Sequence, residues 1–401
     1  MGRLLFLVWT CFLVQLYADD INYDYLRFLV RKIKQEYVRP VNKDEIFKGA
    51  VQGILLKLDS YSQYLTKTDY DDFLNEVEGF YTGIGVEIKN VDDSFVVVTP
   101  LEDSPAMKAG LRPGDLITKV NGESLSGKSL FEVVRLIRGP KGSTVELEII
   151  RPADQGKLQD PFKIIINRDE VALRPVKGIV INKDIAYIRV SKFLTGTHKE
   201  IKKFLRNNKD VKGLILDLRL NPGGLLQEVL KTADLFMDKG LILETRSRHR
   251  EHQKKFFATD RTITNNIPIV VLIDKGSASA SEILAGALKD NGFATIVGEK
   301  SFGKGSVQTS FELPGGDALI LTTAYYYTKS GIQIEGNGIT PTFEVKNDAM
   351  DYCFAKTDWI HNPQVLFEAN DPVFKFAVEK VSEMISYTAT EKKLDHEEQE
   401  S

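Results

Sequence analysis

Short apolar runs at Ala186–Val190, Gly213–Leu218, Ile269–Ile273, Ala294–Val297 and Ala318–Tyr327 alternate with helix-favouring stretches near residues 197–206, 225–236 and 280–289. Runs rich in Val, Ile and Leu with little polar alternation must be covered on both faces, and helices of the same chain can cover them. The pattern restricts roughly residues 155–345 to an α/β layer architecture, and no internal repeat competes with it. With 401 residues, 42% of them hydrophobic, the chain can build two or three cores. Its net charge of −3 leaves no electrostatic footprint for nucleic acid.

The Ile269–Ile273 run leads through Asp274-Lys275-Gly276-Ser277-Ala278-Ser279-Ala280-Ser281 into Glu282–Lys289, which favours helix up to Gly292. Ser279 thus falls on a strand-to-helix turn. Small neighbours there leave room for a substrate backbone, and free N–H groups at a helix start can meet an oxyanion. An ordinary helix cap has the same appearance, so a base is what distinguishes the two. The five histidines, at 198, 249, 252, 361 and 396, lie away from the serine turn in sequence, whereas Lys304 follows Ser279 by 25 residues, between Gly303 and Gly305. A lysine serves as base only when burial brings its pKa from ~10.4 toward ~7–8. The apolar run before it offers that burial, and Gln308 offers a neutral amide that can orient the amine without restoring its charge.

Gly276-Ser277-Ala278-Ser279-Ala280-Ser281-Glu282-Ile283, Gly286-Ala287-Leu288, Asp290, Val297-Gly298-Glu299 and Phe302-Gly303-Lys304-Gly305-Ser306-Val307-Gln308 together resemble the carboxyl-terminal processing peptidases, or tail-specific proteases. The resemblance implies that Ser279 is the nucleophile, Lys304 the general base and Gln308 its support. A second block, Leu216-Asp217-Leu218-Arg219-Leu220-Asn221-Pro222-Gly223-Gly224, matches the family's Leu-Arg-x-Asn-Pro-Gly-Gly turn and implies an oxyanion hole from the amides of Gly223 and Ala280. The resemblance covers roughly residues 45–345 and sharpens the fold to a crotonase-like ββα core with an inserted domain. Two positions depart from it: Leu220 stands where many members have Asn, and Thr342 where Asp is usual.

Gly298-x-x-x-x-Gly303-Lys304 falls short of a phosphate-binding loop, because Gly305 replaces the Ser or Thr that ligates magnesium. No His-x-x-x-His or Cys-x-x-Cys pair suggests a metal site, and no cofactor is expected. His249-Arg250-Glu251-His252 reads as a solvated loop.

Upstream, Tyr81-Thr82-Gly83-Ile84-Gly85-Val86-Glu87-Ile88, Ser104-Pro105-Ala106, Ala109-Gly110-Leu111-Arg112-Pro113-Gly114-Asp115 and Val120-Asn121-Gly122 resemble a PDZ domain over residues 79–153. Successive amides of Gly83, Ile84, Gly85 and Val86 can cradle a terminal carboxylate while the peptide adds as a strand. Leu130, Val134 and Ile137 lie at helical spacing after Ser129 and either line a pocket for an apolar last side chain or belong to the core.

Met1-Gly2-Arg3, the apolar Leu4–Val14 and Leu16-Tyr17-Ala18 read as a signal peptide over residues 1–18, cut near Ala18. Cys11 lies within it, so the mature chain would keep Cys353 alone and form no intrachain disulfide. A helical region over 19–78 carries a Leu26, Leu29, Val30, Ile33, Tyr37 stripe, then a second helix begins near Asn42, and Thr68 starts a third. After the peptidase core of 154–345, residues 346–401 hold a helix from Pro372 with Val373, Phe376, Ala377, Val381 and Met384 on one face, then an acidic tail, Glu391–Ser401, expected to be disordered. Such apolar helices either pack back on the chain or form a homodimer.

These features describe an exported, periplasmic or extracytoplasmic serine endopeptidase. Its expected partners are proteins or peptides with free apolar C-termini, with a homodimer and an envelope adaptor protein as further ones. A catalytically inactive, PDZ-containing peptide-binding scaffold is the alternative of another class. A crotonase-like acyl transferase is a third, which a tail-binding domain argues against.

Overall fold

The computed structural model describes residues 20–400 apart from 56, 60, 79, 92–93, 101–103, 113–114, 129, 153–158, 173, 261, 265–266, 348–352, 354–358 and 360–361. The expected leader, with Cys11 and the cut near Ala18, lies outside the described residues, as do Pro113, Gly114, Ser129 and His361. The chain forms two compact units, residues 1–67 with 308–322 and residues 68–307 with 323–401.

In the first unit, helices Asp20–Glu36 and Lys43–Leu55 flank Pro40. Asn42 Oδ1 accepts the Asp44 N–H at 2.9 Å and so caps the second helix. Leu26, Leu29 and Ile33 remain exposed along the first. Strand Gln63–Leu65 pairs antiparallel with Ala318–Ile320, and Asp317 accepts the Tyr64 hydroxyl and the Lys67 N–H.

The second unit contains a small antiparallel sheet of Val86–Val91, Ser94–Pro100, Leu116–Val120, Thr144–Ile150 and Phe162–Asn167, with helix Leu130–Ile137 beside it. Ile84, Phe95, Val97, Val120, Val145, Leu147 and Ile149 fill its core. Asp115, the last residue of the Gly-Leu-x-Pro-Gly-Asp signature, is buried. Its carboxylate accepts the Arg112 N–H at 2.8 Å and a two-pronged Arg151 guanidinium at 2.7 and 2.8 Å. Strands Phe80–Gly83 and Asp169–Ala172, which lead into and out of this sheet, pair with each other.

The core sheet runs β1 (Val176–Ile181), β2 (Ile185–Val190), β3 (Gly213–Asp217), β4 (Ile269–Ile273), β5 (Thr295–Gly298), β6 (Phe343–Glu344), in that order. Only the β1–β2 pairing among these is antiparallel. Helices α1 (Thr197–Asn207), α2 (Leu226–Ala233) and α3 (Ala280–Asp290) cover one face, and α4 (Pro372–Glu400) covers the other. Alternation within β4 shows why the run is apolar throughout. Ile269, Val271 and Ile273 pack with Ile201, Val229 and Leu284, while Val270 and Leu272 pack with Trp359, Phe374 and Val381.

Two expectations change, and one strand is added. The C-terminal helix packs on its own chain's sheet, burying Val373, Phe374, Ala377 and Val381, whereas Phe376 and Met384 are only partly buried. Helix α4 continues through Glu391–Glu400 instead of ending in a disordered tail, consistent with a run of Glu, Lys, Leu and Gln, all good helix formers. Strand β1 was not foreseen, because Lys177 and Gly178 interrupt its apolar pattern and pairing with β2 supplies what local propensity lacks. His249–His252 lies in the connection between strands Leu241–Arg246 and Lys254–Phe257, with His249, Arg250 and Glu251 exposed.

Candidate active site

The parallel strands β3 and β4 end side by side, and the turns that follow them are tied together. Ser277 Oγ donates to Leu218 O at 2.8 Å, Ser281 Oγ to Asn221 O at 2.9 Å, and the Ala278 N–H to the same Asn221 carbonyl at 3.0 Å. Asp274 Oδ1 accepts the N–H groups of Leu220 at 2.8 Å and Gly276 at 2.9 Å. Ser277 and Ser281 are therefore buried fasteners, and Ser279, between them, is the half-exposed member of the triplet. Its backbone has φ +53° and ψ −113°, a conformation that L residues rarely adopt and that a sharp strand-to-helix turn imposes on a serine held up toward the surface.

Gly223 packs directly against that serine. A Cβ on Gly223 would lie 2.7 Å from Ser279 Cβ and 2.9 Å from the Ala280 N, so only glycine fits. A Cβ on Gly224 would meet Phe193 O at 2.2 Å. The Ala280 N–H, at the first position of α3, takes part in no hydrogen bond among the described residues. The Gly223 N–H instead donates to Asn221 Oδ1 at 2.9 Å, so it would have to leave that oxygen to serve an oxyanion.

Lys304 is half-buried, and burial lowers its pKa from the ordinary lysine value while the Glu335 carboxylate acts in the opposite direction. What joins its segment to the serine is Glu282, a fully buried residue one turn into α3. Its Oε2 accepts the Ser279 N–H at 2.8 Å and the Lys304 N–H at 2.9 Å, and its Oε1 accepts the Ser301 hydroxyl at 2.5 Å and the Gly303 N–H at 2.7 Å. The two backbone nitrogens of Ser279 and Lys304 can be no farther apart than these two bonds laid end to end. Burial pushes the Glu282 pKa up, against the pull of these donors. Sequence reasoning passed over Glu282 as a helix former, although Ser279-x-x-Glu282 has the spacing of a capping box.

Gln308 belongs to the first unit, where its Nε2 donates to Thr322 Oγ1 at 3.3 Å. At the small sheet, Gly83, Ile84 and Gly85 are buried and Val86 is half-buried. Ile84 O accepts the Ala106 N–H at 2.7 Å, whereas no hydrogen bond engages the Ile84 or Gly85 N–H among the described residues. Gly85 has φ +73°, and a Cβ there would strike Ser104 Cβ at 2.3 Å. Of the helical trio, Ile137 is core, Val134 is half-buried and Leu130 opens the helix.

The profile of peptidase family S41 matches residues 184–345, and that of the PDZ domain matches residues 96–151. The carboxy-terminal-processing protease of Bartonella bacilliformis (strain ATCC 35685 / KC583 / Herrer 020/F12,63) is 40% identical over 324 residues, covering 79% of this chain and 74% of that protein. The carboxy-terminal processing protease CtpB of Bacillus subtilis (strain 168) is 39% identical over 320 residues, which is 78% of this chain and 66% of CtpB. A solved photosystem II D1 C-terminal processing protease superimposes with a TM-score of 0.53 at 29% identity, over 80% of this chain and 86% of that one. With a serine turn, a lysine segment and a PDZ sheet in one unit, this chain belongs to the carboxy-terminal processing proteases, serine-type peptidases of family S41.

Proposed function

We propose that the chain is an endopeptidase that selects protein C-terminal tails through its PDZ domain and cleaves them with a Ser279–Lys304 dyad. The observation that carries this reading is the shared Glu282 oxygen, which ties the backbone of the half-exposed serine of the 277–281 triplet to that of a lysine whose pKa burial depresses. Neutral Lys304 takes the Ser279 hydroxyl proton as Oγ attacks the scissile carbonyl, and the ammonium returns that proton to the leaving amine. Water then attacks the acyl-enzyme, with Lys304 accepting its proton and passing it to Ser279 Oγ as that oxygen leaves, which restores the hydroxyl and the neutral amine. The Ala280 N–H faces the oxyanion, with Gly223 as the second donor once its amide turns from Asn221. The family motif assigns Gln308 the task of orienting Lys304.

The same reading exports the protein by a leader cut near Ala18, and makes the exposed Leu26–Ile33 stripe a surface for a second copy or an envelope adaptor protein. The test is cleavage of a protein with an apolar C-terminal tail by the wild type, Ser279→Ala, Ser277→Ala and Lys304→Ala. Loss of turnover in the first and third with folding intact supports the dyad. Loss in Ser277→Ala with activity kept in Ser279→Ala overturns it, and binding without cleavage by the wild type leaves a peptide-binding scaffold.

A further inference from the structure

The Gly303–Gly305 segment and residues 334–338 touch along their backbones. A Cβ on Gly305 would fall 2.1 Å from the Glu335 N, and one on Gly303 would lie 3.2 Å from the Gly338 N. The Gly336 N–H donates to Gly303 O at 2.9 Å, the Tyr326 N–H to Gly305 O at 2.6 Å, and the Ile334 N–H to Tyr326 O at 3.1 Å. Within this frame the half-buried Glu335 side chain turns back on the base segment, its Oε2 accepting the Gly305 N–H at 2.7 Å.

We propose that Glu335 is a positioning residue for the Lys304 base, its carboxylate holding Gly305 in place and stabilising the ammonium formed when Lys304 takes the Ser279 proton. The proposal rests on the dyad reading above. Two other titratable groups among the described residues of the elements packed on this segment do not fill this role. Glu282 of α3 faces the Lys304 backbone N–H, and Tyr326, whose N–H donates to Gly305 O, has a buried phenol whose pKa is pushed up. The charge that opposes burial of the Lys304 amine is that of Glu335. The Ser279 hydroxyl is a very weak acid, so a base held strictly neutral by burial would gain little from taking its proton. A carboxylate beside the amine makes it a stronger base, while narrowing the pH range over which it starts deprotonated.

The experiment is the pH dependence of kcat/KM on a peptide with a free apolar tail for wild type, Glu335→Gln, Glu335→Ala and Lys304→Ala. Glu335→Gln keeps an acceptor for the Gly305 N–H and removes the charge. Its acid limb should move down by about 0.5–1 pH unit, with a plateau lower by about three- to tenfold. Glu335→Ala should show the same shift and a further fall at every pH, because the hydrogen bond is lost as well. A Glu335→Gln profile whose acid limb superposes on the wild type's overturns the proposal, whatever happens to kcat, since a purely structural residue would scale the profile without moving it. Lys304→Ala separates the two failures. If it is inactive, the dyad stands and only the role of Glu335 is lost; if it keeps the wild-type profile, the dyad falls and Glu335 with it.

Discussion

The Lys304 N–H donates to Glu282 Oε2 at 2.9 Å, and that oxygen also receives the Ser279 N–H at 2.8 Å. A single buried carboxylate thus sets the separation of the Ser279 and Lys304 backbones, and in the proposed dyad it leaves both side chains to the chemistry. Glu282→Gln should disrupt this more than its shape suggests, because one of its two acceptor oxygens becomes an amide NH2, itself a donor, that faces other donors. We expect about 1–3 kcal/mol of lost stability and about a hundredfold lower kcat/KM, since small misplacements of a catalytic pair are expensive. Thermal unfolding and kinetics together check it, and unchanged kcat/KM in a folded Glu282→Gln would remove Glu282 from the site.

That brace also marks where sequence legibility ends. The turn at Ser279, the glycine-flanked Lys304 segment and the Gly223-Gly224 turn were readable because each lies in a short run whose residue types are demanded locally by a turn or a close approach. Strand β4 was readable because burial on both faces leaves no polar position in Ile269–Ile273. Glu282 was not, since its task depends on residues 301–304 returning to the start of α3, a contact that no local spacing encodes. The commitment of the Gly223 N–H to Asn221 was hidden for the same reason: the motif specifies the turn, and the turn's own hydrogen bonds emerge only in three dimensions. The docking of α4 depended on knowing that β3 and β4 leave a second apolar face open.

Burial of Lys304 should carry a stability cost that varies with pH. Its folded pKa lies below that of an unfolded lysine, so the cost is absent above the unfolded value, grows as pH falls from there toward the folded one, and is complete below it. Lys304→Met, which removes the charge and keeps the stem, should therefore raise Tm at neutral pH, and the gain should shrink as pH approaches the lysine's ordinary range. A Tm difference that does not change with pH would mean that the amine is solvated in the folded protein.

Arg219, at the foot of the Asn221–Gly224 turn, is fully buried and reaches Asp217 at 2.6 Å and Asp371, just before α4, at 2.8 Å. Tyr187 donates to Asp217 Oδ2 at 2.8 Å and the Cys353 N–H to Asp371 Oδ2 at 2.9 Å, so the cluster joins the strand that leads into the glycine turn to the C-terminal region. Arg219→Met leaves two buried carboxylates without their cation and should cost about 3–5 kcal/mol. Burial favours protonation of Asp217, yet Arg219 holds its pKa below the ordinary value. The stabilisation is thus present above the unfolded carboxylate pKa and lost as pH falls through the depressed folded one, so the mutant's deficit should narrow in acid. Denaturant titrations at two pH values measure this.

Leu220 adopts φ +51° and is 44% exposed, held there by the bond from its N–H to Asp274. A left-handed leucine is strained by about 1–2 kcal/mol, and asparagine tolerates the region better. Leu220→Asn should therefore stabilise the protein by about 0.5–1 kcal/mol, and a fall in Tm would show that the leucine's contacts outweigh its backbone strain.

Tail selection is the reading most open to a direct chemical test. The Ile84 and Gly85 amides take part in no hydrogen bond among the described residues, and Gly85 is fixed by a close approach to Ser104 that no side chain could share. A peptide carboxylate bound there would be held by charge-assisted hydrogen bonds worth roughly 1.5–3 kcal/mol, and amidation removes that charge. An amidated tail should be cleaved with kcat/KM at least about tenfold lower than the same tail as a free acid, mostly through KM if the domain recruits and mostly through kcat if it also gates the dyad. A tail ending in Asp should fall similarly, since a second negative charge would have to enter an apolar pocket. Equal cleavage of acid and amide would remove tail recognition from the mechanism while leaving Ser279 and Lys304 in place.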